Sequence, residues 1–169
     1  MAGSIRRRAP TVGDVELVGV PRHALIQADL FAPGEGLNQD LLAARCLELL
    51  AEGVLAHRPD VNGRPAFGER YKRLRYRGFP LDLFSPPEEC FGVVLAIRTG
   101  PAEFSRRLVT PRRQGGLLPD WLRVRAGRIW RGVVPLDTPT EASVFEALNL
   151  DWLEPEARTG RERAAVARG

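Results

Sequence analysis

The sequence predicts an α+β fold in two lobes, and three observations point that way. Short apolar runs entered through glycine or turn residues mark strands near 13–20 and 79–84. A helical stripe lies between them. Beyond residue 100, a short helix, a pair of alternating strands and a capped helix follow closely, as in a second, smaller α+β unit.

Each element rests on a local signal. From Gly13 to Val20, GDVELVGV is a strand, and VPRHALIQADLFAPGEG after it reads as a connection rich in turn residues. In NQDLLAARCLELLAEG, Leu41, Leu42, Arg45, Cys46, Leu49 and Leu50 share one stripe at helical spacing. Asn38 or Asp40 can cap its start and Gly53 ends it, so this helix is expected to pack behind a sheet. Two extended runs, Arg70 to Arg77 and Phe79 to Phe84, flank Gly78 as a β-hairpin. After Ser85-Pro86-Pro87, Glu88 and Glu89 suit the first turn of a helix that continues through Phe91, Val94, Leu95 and Arg98 and stops at Thr99-Gly100-Pro101. A further helix starts at Pro101, carries Phe104 and Leu108, and is limited by Pro111. WLRVRAGRIWRGVV, residues 121–134, gives two strands about Ala126-Gly127; TPTEASVFEALNL is a capped helix, and RTGRERAAVARG a frayed basic tail. Trp121, Trp130 and Trp152 are expected to pack within the second unit, and His23 and His57 to lie on the surface.

Composition narrows the function classes. The 169 residues are 44% hydrophobic, enough for a packed core. No stretch reaches the ~20 apolar residues of a membrane helix, and MAGSIRRRAP lacks the apolar core of a secretory signal. A soluble, cytoplasmic, monomeric protein is therefore expected. Cys46 and Cys90 belong to no paired ligand motif, which argues against zinc and leaves a disulfide unsupported. The net charge of +4 rests on arginine, because Lys72 is the only lysine. Forked guanidinium groups suit phosphate, although richness in Ala, Arg, Gly, Leu and Pro together also follows from a GC-biased genome. Clusters at Arg6 to Arg8, Arg70 to Arg77, Arg106 to Arg113 and Arg123 to Arg131 each adjoin a candidate site segment.

The chemistry concentrates on carboxylates. Asp14 and Glu16 stand two apart on a strand and so share a face, while Asp82 lies on a second strand among Leu81, Leu83 and Phe84. Three such acids on adjacent strands repel one another unless cations separate them, and two Mg²⁺ ions about 3.5–4 Å apart are the usual arrangement in phosphoryl-transfer sites. Read alone, the three are equally compatible with solvated carboxylates on sheet edges. Upstream, Gly3-Ser4 followed by Arg6, Arg7 and Arg8 forms a turn whose amides, hydroxyl and guanidinium could meet a triphosphate, or a basic terminus without a site.

Taken together, Gly3-Ser4-Ile5-Arg6-Arg7, Gly13-Asp14-Val15-Glu16, Leu81-Asp82-Leu83 and Arg98-Thr99-Gly100-Pro101 resemble the ordered motifs of X-family, DNA polymerase beta-like enzymes: G-S-x-R-R, G-D-x-D/E, the third aspartate and the T-G-S/P turn. The resemblance runs on to Trp152-Leu153-Glu154-Pro155-Glu156-Ala157-Arg158 and covers roughly the whole chain. It implies a nucleotidyltransferase-type palm with a mixed sheet over residues 1–100, a thumb-like α+β lobe over 101–158 and a basic tail over 159–169, like compact viral members without the lyase domain. Asp14, Glu16 and Asp82 would be catalytic and bind two Mg²⁺, with Mn²⁺ as the alternative ion. Gly3, Ser4, Arg7, Gly13, Thr99, Gly100 and Ser105 would contact the nucleoside triphosphate, and Arg106 the DNA template. Arg123 and Arg125 could follow its backbone, although a solvated strand face accounts for them nearly as well. The implied reaction adds a nucleotide from dNTP to a primer 3′-hydroxyl in gap filling or DNA repair, with a bacteriophage as one source of so compact a form.

Some residues depart from the pattern. Glu16 replaces an aspartate, Ile97 and Arg98 stand where aromatic residues are common, and Pro80 replaces a polar residue two before the third aspartate. Family members carry a helix and a strand ahead of the glycine-serine turn, here two residues from Met1, so the resemblance implies a sheet one strand short or an upstream start. Two alternatives stay open: transfer to another acceptor (tRNA, a small molecule or a protein), and a truncated relic that only binds DNA.

Overall fold

A computed structural model describes residues 1–27 and 36–162. Its order is α1 (Gly3–Arg6), β1 (Val15–Val18), β2 (His23–Gln27), β3 (Gly36–Asp40), α2 (Leu41–Ala51), β4 (Leu55–His57), β5 (Tyr71–Tyr76), β6 (Phe79–Phe84), α3 (Phe91–Thr99), α4 (Ala102–Val109), β7 (Leu122–Arg125), β8 (Arg128–Arg131), β9 (Val134–Leu136) and α5 (Glu141–Ala147). The class is α+β. The main sheet is mixed, in the order β1-β6-β5-β4, with β1 parallel to β6 and the other pairs antiparallel. β2-β3 and β7-β8-β9 form separate antiparallel sheets.

Period-two alternation decides what each face of the main sheet meets. Leu17, Leu74, Leu81 and Leu83 point one way and pack with Leu55 against Leu42, Cys46, Leu49 and Leu50, the apolar stripe of α2. Asp40 caps that helix by accepting from the amides of Leu42 and Ala43, as its sequence position suggests. On the other face Val18, Tyr71 and Phe84 pack with Ala2 and with Phe91, Val94 and Leu95 of α3. The β5-β6 turn puts Arg77 and Gly78 at φ 48° and 84°, the two left-handed positions of a tight hairpin. A 3₁₀ turn at Glu88–Cys90 precedes α3 where the two glutamates were expected to open the helix.

α3 also faces a second core, where Val93 and Ala96 join Phe104, Leu108, Leu117, Leu118, Leu122, Ile129, Val144, Phe145 and Leu148. Fully burying Phe104 alone stabilises by roughly 1.5–3 kcal/mol. Thr140 caps α5 in a reciprocal box with Ser143. Glu141, the first residue of that helix, is 4% exposed and accepts from Arg158 at 2.7 Å and from Arg6 at 2.6 Å. The Arg158 guanidinium lies among the Phe104, Phe145 and Trp152 rings. The network therefore ties α1 to the second core.

Four expectations change. The connection after Val20 contains β2 and β3, whose residues show no clean period-two alternation and whose apolar side chains, such as the 79%-exposed Leu25, bury little. Residues 28–35 of it lie outside the described residues. β4 and β9 are three-residue strands without a periodic signal, and β9 tolerates Pro135 because it is an edge strand. Trp121 is 63% exposed rather than packed. The start of the tail is anchored, with the Gly160 carbonyl accepting from Arg107 at 2.6 Å and Glu162 accepting from the amides of Thr159 and Gly160, while 163–169 lie outside the described residues.

Candidate functional site

The strand register sets two of the three expected acids, Glu16 and Asp82, side by side. Glu16 is the cross-strand partner of Asp82 in the parallel β1-β6 pair, and Asp82 is the partner of Arg73 in the antiparallel β6-β5 pair. Arg58, one residue past β4, donates its amide to the Arg73 carbonyl at 3.1 Å. A transverse row thus crosses the sheet as Arg58, Arg73, Asp82, Glu16, two cations followed by two anions. Asp14 precedes Glu16 by two residues, just ahead of β1, and is not part of the cross-strand row.

The acidic end is electrostatically incomplete. Burial pushes the Glu16 carboxyl above its ordinary value and the Asp14 charge adds to that; Arg98 pulls it down, Asp82 up and Arg7 down. Asp82 is 8% exposed. Its Oδ1 accepts from Arg58 Nη2 and, at 2.9 Å, from the Tyr71 hydroxyl, with Arg73 Nε at 3.9 Å from the same oxygen. Oδ2 takes no hydrogen bond among the described residues. Among those residues no three His, Cys, Asp or Glu side chains, Asp14, Glu16 and Asp82 included, form a group that could hold a metal ion. Hard divalent cations in phosphoryl-transfer sites use one or two carboxylates, waters and substrate oxygens rather than an all-protein cage, so this all-oxygen donor set fits Mg²⁺ or Mn²⁺.

The glycine-serine turn abuts the acids. Gly3 has φ +64°, and a Cβ there would stand 2.3 Å from Glu16 Oε2, so both conformation and space call for glycine. The Ala2 amide donates to the Glu16 carbonyl at 2.8 Å, fixing α1 beside β1. Ser4 Oγ is buried without a partner. Arg7 spends one nitrogen on the Thr99 carbonyl at 2.5 Å, and Arg6 donates to Thr99 Oγ1 at 2.8 Å. Gly13 is exposed, with open space around it.

The other expected residues divide. Thr99 is fully buried and holds the two arginines, Gly100 packs against Phe104, and the Ser105 hydroxyl lies 2.5 Å from the Ile97 carbonyl that it donates to. These three support the end of α3 rather than offering free polar groups. Arg106 pairs with Glu103 on the surface of α4, while Arg123 and Arg125 project from the exposed face of β7; no described contact joins them to the acids. His23 and His57 are exposed, and both cysteines are free and buried. No helix among the described residues is long and apolar enough to cross a membrane.

Sequence reasoning missed Arg58, Tyr71 and Arg73. Tyr71 and Arg73 could have been found from the hairpin register, which sets Arg73 opposite Asp82; Arg58 could not, because nothing in LAHRP marks β4. Arg98 gains a role as well, its guanidinium lying 4.0 Å over the Phe84 ring beside a cavity of about 470 Å³ bounded by Tyr71, Ile97 and the β7-β8 turn. Compared with known proteins, the chain is matched by no family model and by no curated sequence.

Proposed function

We propose that this chain is a metal-dependent nucleotidyltransferase of the X-family polymerase type, adding nucleotides from dNTP to a primer 3′-hydroxyl on gapped DNA. The observation that carries the reading is the side-by-side register of Glu16 and Asp82, with Asp14 just ahead of β1, where burial first and the Asp14 charge second raise the Glu16 pKa. In this reading the main sheet and α3 form a palm, and the unit built on the second core is the thumb.

Asp14, Glu16 and Asp82 would hold Mg²⁺, which when bound supplies positive charge to the triphosphate and the attacking hydroxyl. The residues of the chain do the remaining work. The Ser4 hydroxyl, a buried donor that costs about 1–3 kcal/mol when unsatisfied, would turn to a phosphate oxygen. Arg7, adjacent to Glu16 and anchored on Thr99, would neutralise the β and γ phosphates, and the exposed Gly13 amide would donate to them. Asp82 would help draw off the proton of the 3′-hydroxyl. The 3′-oxygen then bonds to the α-phosphorus, the bond to the bridging oxygen breaks, and pyrophosphate leaves. Arg106, Arg123 and Arg125 would meet the DNA phosphates, away from the reacting atoms.

Primer extension on a one-nucleotide-gapped duplex with Mg²⁺ or Mn²⁺ tests the reading. Template-matched addition that Asp82→Ala abolishes is expected. A second reading, transfer to another acceptor, is favoured by Arg98 lying on Phe84 where polymerases commonly carry an aromatic residue. Triphosphate turnover onto tRNA or a small acceptor, with no primer extension, would replace the first reading by the second.

A further inference from the structure

We infer that Arg58 and Tyr71 are positioning residues that hold Asp82 by Oδ1 and reserve its Oδ2 for a divalent cation. The inference rests on the nucleotidyltransferase reading and adds to it two residues that lie outside its motifs.

The hydrogen bonding is lopsided in a way that stability alone does not explain. Arg58 Nη2 and the Tyr71 hydroxyl both donate to Oδ1, and Arg73 Nε approaches the same oxygen at 3.9 Å. Arg58 Nε and Arg73 Nε are meanwhile buried without acceptors, and Oδ2 has no donor among the described residues. An ion pair shaped for stability would close as a fork, with two parallel N–H···O bonds spanning both carboxylate oxygens. Leaving two buried donors without acceptors costs stability, and such a cost makes sense where the free oxygen has another ligand to bind.

The backbone explains why the cation comes from Arg58. Pro80, two residues before Asp82 on the same strand face, has no side-chain donor. Arg58 reaches across from the β4 end, where its own amide is bonded to Arg73 and the following loop is stapled: Pro59 bridges Pro65, and Asp60 accepts from the amides of Asn62 and Arg64. Tyr71 is held by its stack on Phe84, with ring centroids 4.8 Å apart. Both donors are therefore fixed before any cation arrives, and Asp82 is left one rotamer and one free oxygen.

The test is a calorimetric Mn²⁺ titration of the full chain and of Asp82→Ala, Arg58→Met, Arg58→Lys and Tyr71→Phe, with the melting temperature of each measured without metal. Asp82→Ala should lose the site. Arg58→Met and Tyr71→Phe should weaken Mn²⁺ binding roughly 10–100-fold, and Arg58→Lys should regain part of the loss. Mn²⁺ affinity in Arg58→Met equal to or above that of the unsubstituted chain would overturn the inference, because the arginine would then be indifferent or a competitor. Should Arg58→Met fail to fold, Tyr71→Phe, which removes a single hydroxyl, decides on the same criterion. If the unsubstituted chain binds no Mn²⁺, or Asp82→Ala binds it equally well, the nucleotidyltransferase reading itself fails and takes the inference with it.

Discussion

Two acid–arginine clusters in this molecule use the same side chains to opposite ends. At the start of α5, both oxygens of Glu141 are occupied: Oε1 accepts from Arg158 at 2.7 Å, and Oε2 from Arg6 at 2.6 Å and Arg158 at 3.4 Å. Burial alone would push that carboxyl up, yet the hydrogen bonds from Arg6 and Arg158 hold it below its ordinary value. In the main sheet, burial and the neighbouring Asp14 push Glu16 up, and Asp82 is bonded through one oxygen. Closing both oxygens compensates the buried charge of Glu141; in the proposed reading, the oxygen that Asp82 leaves open is for a cation.

The largest expected effect falls on the closed cluster. Glu141→Ala or Arg158→Met should cost about 3–5 kcal/mol, the usual consequence of stranding a buried charge, read as a drop in the denaturant midpoint. The acid side follows by linkage. Because the folded-state pKa of Glu141 is depressed, its contribution is present above the ordinary value of 4.5 and is lost as pH falls through the lower folded-state pKa. In Glu141→Gln, stability should therefore fall less steeply on acidification than in the unsubstituted chain.

On the open cluster a smaller effect of opposite sign is expected. The raised pKa of Glu16 means that ionising it opposes folding, with no penalty below 4.5 and a growing one as pH rises through the folded-state pKa. Without divalent cations, Glu16→Gln should melt higher than the unsubstituted chain at pH 7 and match it near pH 4. Gly3→Ala sharpens the contrast between support and site: left-handed backbone costs an ordinary residue about 1–2 kcal/mol, and the added methyl group displaces Glu16. In the proposed reading, nucleotide transfer should fall further than that stability loss explains. The smallest effect is at Arg106, whose solvent-exposed pair with Glu103 adds little to stability. Arg106→Ala should leave melting unchanged and, if this residue meets DNA, lower the salt dependence of binding.

How much of this was legible in the sequence follows from how local each signal is. The α2 stripe, the Arg77-Gly78 hairpin and the Thr140 cap are written within one or two turns of chain, and each lies where the sequence puts it. Asp14, Glu16 and Asp82 were legible as acids on strands, but their adjacency needed the parallel β1-β6 register, which no local pattern specifies. Arg58 was hidden because β4 is three residues long and bonds to a strand 14 or more residues away. Arg6 and Arg158 read as members of motifs near the two ends of the chain, and only the tertiary fold brings both onto Glu141. Thr99 and Ser105, expected at the nucleotide, are spent on backbone and arginine contacts.

The most direct test of the open cluster is thermal denaturation at pH 7 of the unsubstituted chain and Glu16→Gln, each without divalent cation and then across a Mn²⁺ series. A crossing is expected: Glu16→Gln melts higher without cation, and Mn²⁺ raises the unsubstituted chain until it melts higher than the variant, since a ligand that binds only the folded state stabilises it more the tighter it binds. Equal Mn²⁺ shifts in both proteins, or a Glu16→Gln variant that melts lower from the outset, would contradict it.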